Sequence, residues 1–237
     1  FLVQRGLSPR ELLQSSKLMS EYIFHLLSKE NRSVWIAQRE GRTKDGNDAT
    51  HPGVLKMLAM ASNEKNCIDY FKKIKIVPVS ISYEYDPTDA LKMPQLLAQA
   101  KDEVYVKDKN EDFITLLSGI IGQKKRIHIH VGDVLDKELD TVMNENNNTN
   151  KQIQAVAQLI DDSILQSYQL WPTNYIAFDV LNETNQFTKF YTDKEKQLFE
   201  RRLELRINAE NTTLKDGFLA MYANPVVNKL KYTNAIS

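Results

Sequence analysis

The sequence predicts an α/β protein: a mixed, mostly parallel sheet flanked by helices, with a C-terminal helical extension. Three observations carry that expectation. Short apolar runs at residues 34–37, 74–79 and 126–131 are rich in valine and isoleucine and read as strands. The run at 74–79 is apolar at almost every position, as in parallel strands buried on both faces. Helix-patterned stretches separate these runs, and a β–α–β–α–β succession implies a sheet with helices outside it.

Taken in order, Ser8-Pro9-Arg10-Glu11 is a helix start, with Ser8 as N-cap, Pro9 in the first turn and Glu11 completing a capping box. Leu12, Met19, Tyr22, Ile23, Leu26 and Leu27 follow at helical spacing, to about residue 30, and read as a core-facing stripe. Residues 34–37 form the first strand, with Trp35 in the core. Two short helices follow, at 54–61 and 67–73, separated by Ser62-Asn63-Glu64. Residues 74–85 are the next strand. Pro78 within it lacks a ladder donor, which favours an edge, a strand end or a bulge. Asp86-Pro87-Thr88-Asp89 opens another helix through 97. Residues 101–112 are charged and solvated, 114–121 are a short apolar run, and 125–131 are a strand.

The run Asn144-Glu145-Asn146-Asn147-Asn148-Thr149-Asn150 is a polar joint. It divides the chain into an α/β domain at 1–143, a linker at 144–150, and a mostly helical extension at 151–237 packed on the core. In the extension, Ile153, Val156, Ala157, Ile160, Ile164, Leu165 and Tyr168 mark a long amphipathic helix. Trp171-Pro172 stops it. Residues 175–181 fit either a strand or a helix. Helices at 192–208 and 214–222 follow.

Composition is that of a folded globular chain: 237 residues, 42% hydrophobic and 9% aromatic. The 31 basic and 31 acidic residues cancel, so the basic bias of a nucleic-acid binder is absent. The single cysteine, Cys67, has no internal disulfide partner, which fits a reducing compartment. No secretory signal begins the sequence and no apolar run approaches membrane-spanning length.

The functional signal lies at the end of the first strand. Arg39, Arg42 and Lys44 fall within six residues, around Glu40-Gly41. Arginine presents paired donors that match a phosphate, and a glycine lets backbone N–H groups approach it. The segment therefore reads as a phosphate-recognition loop. With two further segments, Phe1-Leu2-Val3-Gln4-Arg5 and Ile76-Val77-Pro78-Val79, it resembles, in order and spacing, the second to fourth motifs of the glycerolipid acyltransferases, the family that includes 1-acyl-glycerol-3-phosphate acyltransferase. The resemblance covers roughly residues 1–135. The family's third motif is Glu-Gly-Thr-Arg, whereas this chain has Glu40-Gly41-Arg42-Thr43-Lys44, with the arginine one place early or replaced by Lys44.

The resemblance implies an O-acyltransferase of phospholipid biosynthesis, with acyl-CoA or acyl carrier protein as the donor substrate and no bound cofactor. Arg5, Glu40, Gly41, Arg42 and Lys44 would hold the acceptor phosphate, and Val77, Pro78 and Val79 would wall the acyl chain. The partners would be a lysophospholipid, the acyl thioester and a membrane surface, with the protein cytoplasmic and peripheral at the inner membrane face. The family's catalytic His-x4-Asp pair has no counterpart ahead of the second motif here, so it is expected upstream of Phe1, and this chain alone is expected to be inactive. An aminolipid acceptor, or a non-catalytic lipid- or partner-binding role, are the alternative readings. His128 and Asp133 satisfy His-x4-Asp in the wrong place, after the fourth motif. His128 and His130 share a strand face there and lack a further ligand at metal spacing. His25 sits on the first helix and His51 in a loop, and no metal site is expected.

Overall fold

The computed structural model describes residues 7–39, 43–208 and 210–236. In chain order the elements are α1 (Pro9–Ser28), α2 (Pro52–Ala59), α3 (Cys67–Ile74), β1 (Val79–Tyr83), α4 (Asp89–Ala100), α5 (Glu111–Ile121) and β2 (Ile127–Val131). They continue with α6 (Lys137–Glu145), α7 (Thr149–Ser167), α8 (Pro172–Leu181), a 3-10 turn at Thr188–Phe190, α9 (Asp193–Arg206) and α10 (Thr212–Ile236).

The expected mostly parallel sheet is overturned. The protein is 61% helix and 4% strand, and the described residues contain a two-stranded antiparallel ribbon of β1 and β2. Residues 34–37 have no regular secondary structure and join no ladder. Trp35, expected in the core, is 72% exposed, and only Val34 packs against a core. The strand at 74–85 is shorter than expected because α3 runs to Ile74 and closes on Lys75 in a left-handed conformation, φ 55°. An isolated extended run gains nothing until a partner satisfies its N–H and C=O groups, and periodicity cannot supply that partner.

Where local signals decide, the expectations hold. The Ser8 side chain accepts from Glu11 N, and the Glu11 carboxylate accepts from Ser8 N at 2.9 Å, so the capping box is formed. The stripe beyond it is weaker than its spacing implies: Ile23 is buried, but Leu12 is 54% and Tyr22 46% exposed. Residues 175–181 are helical. Trp171 N donates to Asn174 Oδ1, and Pro172 occupies the first turn of α8.

The chain forms two compact units. One comprises Phe1–Arg42, Ala49–Val79 and Val131–Ile164, and the other Thr43–Asp48, Ser80–His130 and Leu165–Ser237. In the first, α1 packs on α2, and α3 on α6, around Ile23, Leu55, Ile68, Phe71, Leu139 and Val156. In the second, α10 packs on α8 and α4, around Phe199, Phe218, Leu219, Tyr222 and Ile176. Each fully buried aromatic or branched side chain contributes on the order of 1.5–3 kcal/mol.

Candidate functional site

The loop singled out in the sequence has a closed base. His51 N donates to Gln38 O at 2.9 Å. Thr50 is buried beside it, and its N and Oγ1 both donate to Asp161 Oδ1, at 2.8 and 2.6 Å. The carboxylate thus holds the downstream foot of the loop through a charge-assisted pair of bonds. His51, read from sequence as a loop residue, is the N-cap of α2: its Nδ1 accepts from Gly53 N at 3.1 Å. It is therefore a structural imidazole.

The downstream limb, Thr43–Asp48, folds as a turn of its own in the second unit. Asn47 N donates to Asp45 Oδ1 at 3.1 Å, and Thr43 Oγ1 donates to Asn47 O at 2.8 Å. Asn224 Nδ2 of α10 donates to Asp45 O at 2.7 Å, and Asn228 Nδ2 to Asn47 Oδ1 at 3.2 Å. Gly46 makes this contact possible. Pro225 lies inside α10 and has no N–H to give Met221 O, which leaves that carbonyl without its helical donor. Gly46 comes up against the same carbonyl with φ +77°, and a Cβ at this position would lie 2.2 Å from the oxygen. A sequence signal for it existed in the Asp45-Gly46-Asn47 turn chemistry. Its partner on α10 did not.

Of the residues expected to bind phosphate, Arg5, Glu40, Gly41 and Arg42 lie outside the described residues. Lys44 is half-buried and engaged with other groups, as is Arg39. Of the expected acyl wall, Val77 is 38% exposed, Pro78 is buried and Val79 is half-buried at the first position of β1. Pro78 O accepts from Gly132 N at 2.9 Å and Ile76 O from Leu135 N at 3.0 Å, so Pro78 stands at a strand end. His128 and His130 stack on β2 with centroids 6.5 Å apart. No cluster of three potential metal ligands occurs among the described residues.

Two polar clusters in the second unit were not legible in the sequence. Glu84 follows β1 with a fully buried side chain. It accepts from Arg126 Nε and Nη2 at 2.5 and 3.0 Å and from Lys125 Nζ at 2.6 Å. Two members of the basic run 124–126 are thereby turned inward to one carboxylate. Burial alone would raise the Glu84 pKa, but the bonds and charges of Arg126 and Lys125 outweigh it and hold it below the ordinary value. A depressed folded-state pKa contributes stability that is fully present above the unfolded value, near 4.3, and is lost as pH falls through the folded value. Glu84→Gln is accordingly expected to cost about 1–3 kcal/mol at neutral pH. The half-exposed cations favour the lower end. Urea titrations at a series of pH values should show a shallower loss of stability below about pH 4 in the variant than in the parent.

The second cluster joins α4, α9 and α10. Asp89 is fully buried and accepts from Arg202 Nε at 2.9 Å, Arg202 Nη2 at 2.7 Å and the Tyr222 hydroxyl at 2.9 Å. The Tyr222 oxygen accepts from Asp86 N at 3.0 Å, and Arg202 Nη2 also reaches Asp86 O at 3.0 Å. Lys92 pairs with Asp86, which accepts from both Thr88 N and Thr88 Oγ1. The Arg202 guanidinium lies 4.3 Å from the Tyr85 ring centroid. Burial and the neighbouring Asp89 push the Tyr222 hydroxyl well above its ordinary pKa, so it is a donor at any physiological pH. Each ionised group here is matched by an opposite charge or a donor. The cluster reads as a knot that fixes three helices and leaves no group poised for a reactant.

No helix among the described residues is long and apolar enough to cross a membrane. No family model matches the chain, and neither a curated protein nor a solved structure matches it.

Proposed function

We propose that the protein belongs to an O-acyltransferase system that moves a fatty acyl group from a thioester, acyl-CoA or an acyl carrier protein, to a lysophospholipid such as 1-acyl-glycerol-3-phosphate. The supporting sequence evidence is the ordered succession of Arg5, Glu40-Gly41-Arg42 and Val77-Pro78-Val79. The supporting geometry is the closed loop base, where Gln38 and His51 are bonded and Asp161 holds Thr50. A ligand loop whose feet are tied loses less entropy on binding than a free one. In this reading Arg5 and Arg42 hold the acceptor phosphate, Glu40 holds a glycerol hydroxyl or the arginines, and Gly41 admits the ligand to the backbone. Fixing the phosphate fixes the attacking hydroxyl beside a general base. That base is the histidine of a His-x4-Asp pair outside these motifs, so acyl transfer requires it to be supplied. The protein works peripherally at the cytoplasmic face of a membrane.

Binding of lysophosphatidate to the chain tests the acceptor half directly. Arg42→Ala is expected to weaken it by roughly 10- to 100-fold, the worth of a charge-assisted bidentate bond, and Glu40→Gln by less. Unchanged affinity in both variants would remove the assignment. The early position of Arg42 in Glu40-Gly41-Arg42-Thr43-Lys44 favours, as a second reading, an aminolipid acceptor. Competition by a dephosphorylated aminolipid at equal affinity would select it.

A further inference from the structure

Helix α5 is built inside out. At about 100° per residue, Glu111, Asp112, Thr115, Ser118 and Gly119 fall on one arc. Phe113, Ile114, Leu116, Leu117, Ile120 and Ile121 fall on the opposite arc, about 160° wide. A globular protein turns the second arc inward. Here Glu111, Thr115, Ser118 and Gly119 are half-buried, and no residue of α5 is fully buried. All six apolar side chains are exposed, from 43% at Leu117 to 73% at Ile121. Together they present roughly 600 Å², the upper end of the largest apolar patch on an ordinary monomer. Tyr105 donates its hydroxyl to Glu111 at 2.6 Å, which ties residues 104–106 to the first turn, and Val104 and Val106 on either side are 91% and 80% exposed.

The charges at the helix itself are sorted, while Asp102, Glu103 and Asp108 stand exposed on the segment before it. The acids of the first turn are engaged: Glu111 by Tyr105, and Asp112 by Lys107 at 2.8 Å. The cations flank the ends. Lys109 precedes the helix, exposed and without an ion pair among the described residues. Lys124 follows it and donates to Ile120 O and Gly122 O at 3.0 and 3.1 Å. Lysines at both ends with no charge on the apolar arc match an interface in which hydrocarbon meets phosphate headgroups. A protein partner of this area would call for several hydrogen bonds across it, and the arc offers no side-chain donor or acceptor. The helix has 11 residues, about 16 Å at 1.5 Å per residue, half the thickness of a bilayer core. A helix of this length is too short to cross a membrane and fits one only by lying in its plane.

We propose that α5 is the membrane-docking element of this protein: it inserts Phe113, Leu116, Ile120 and Ile121 into the acyl region of a lipid surface while Lys109 and Lys124 meet its headgroups. The proposal deepens the peripheral-membrane reading given above but stands on the exposure of α5. It is tested with the full chain on phosphatidylcholine vesicles with and without phosphatidylglycerol, in the absence of acyl donor and acceptor. Vesicle binding and Arg42-dependent acceptor binding thus fail independently. Wild type is expected to sediment with both vesicle types, more strongly with the anionic ones. Leu116→Ser/Ile120→Ser/Ile121→Ser is expected to lower the partition coefficient at least tenfold with an unchanged circular dichroism spectrum. Lys109→Gln/Lys124→Gln, the second variant, is expected to reduce only the preference for anionic vesicles. Absence of wild-type binding to either vesicle overturns the proposal, as does full binding by the folded triple variant. A wild-type dimer that the triple variant makes monomeric, with no vesicle binding, overturns it in favour of a second copy of this chain.

Discussion

Asp89→Ala is expected to lower the stability of the second unit by about 3–5 kcal/mol, the usual cost of removing one member of a buried ion pair. The lost attraction is the smaller part of that cost. Arg202 is 8% exposed and would keep its charge with its main counterion gone, and the Tyr222 hydroxyl would lose its acceptor. Arg206, with Nε 3.6 Å from Asp89 Oδ1, would lose a weaker partner. Because α4, α9 and α10 meet at this carboxylate, the destabilisation should appear in every probe of the second unit. Urea unfolding followed by a probe in the second unit should show its midpoint fall. A cycle with Tyr222→Phe should return a coupling of about 0.5–3 kcal/mol, as expected for residues in one network. A loss below about 1 kcal/mol in Asp89→Ala would show that the three helices are held by apolar packing alone.

Gly46→Ala is expected to release the loop limb at 43–48 from α10. The added methyl would need to sit 2.2 Å from Met221 O and 3.3 Å from Pro225 Cδ, at φ +77°. A helix carbonyl cannot retreat as the tip of a flexible side chain does. The cost is capped by what the limb gains from docking, because the limb can leave while the helix stays folded. The Asn224 and Asn228 bonds and the turn itself set that cap at about 1–3 kcal/mol. The expected result is a modest fall in global stability with a large rise in protease cleavage and amide exchange confined to residues 43–48. In the acyltransferase reading, acceptor affinity falls with it, since Arg42 adjoins the limb in sequence. Unaltered exchange in Gly46→Ala would show that the limb does not need the close approach.

The extent to which the fold was legible follows from the range of the forces involved. The Ser8–Glu11 capping box, Pro172 at the start of α8 and the spacing of Ile153, Val156 and Ile160 act within a turn or two, and each marks a helix that forms. Residues 34–37 carry the same local preference for extension as β2. β2 has β1 opposite it, whereas Trp35 and Ile36 stand exposed. Lys125 and Arg126 meet Glu84 from some forty positions further along the chain, a pairing that no local pattern marks. The apolar run 114–121 lies in a helix that leaves its apolar arc exposed, which its composition does not reveal. For the candidate site, motif order was read from the chain, while the Gly46 turn, the closure by Asp161 and the docking on α10 were not, the last two linking positions more than a hundred residues apart.

By itself, the sequence determined where most helices begin and the clustering of cations around Glu40-Gly41, because caps and charge spacing are properties of neighbouring residues. Tertiary structure alone decided that β1 and β2 pair while residues 34–37 join no ladder, that the Glu84 and Asp89 carboxylates are buried against their cations, and that the apolar arc of α5 faces outward. Strand pairing, desolvation and burial are interactions between distant segments, and their free energy depends on what each segment meets once the chain has folded.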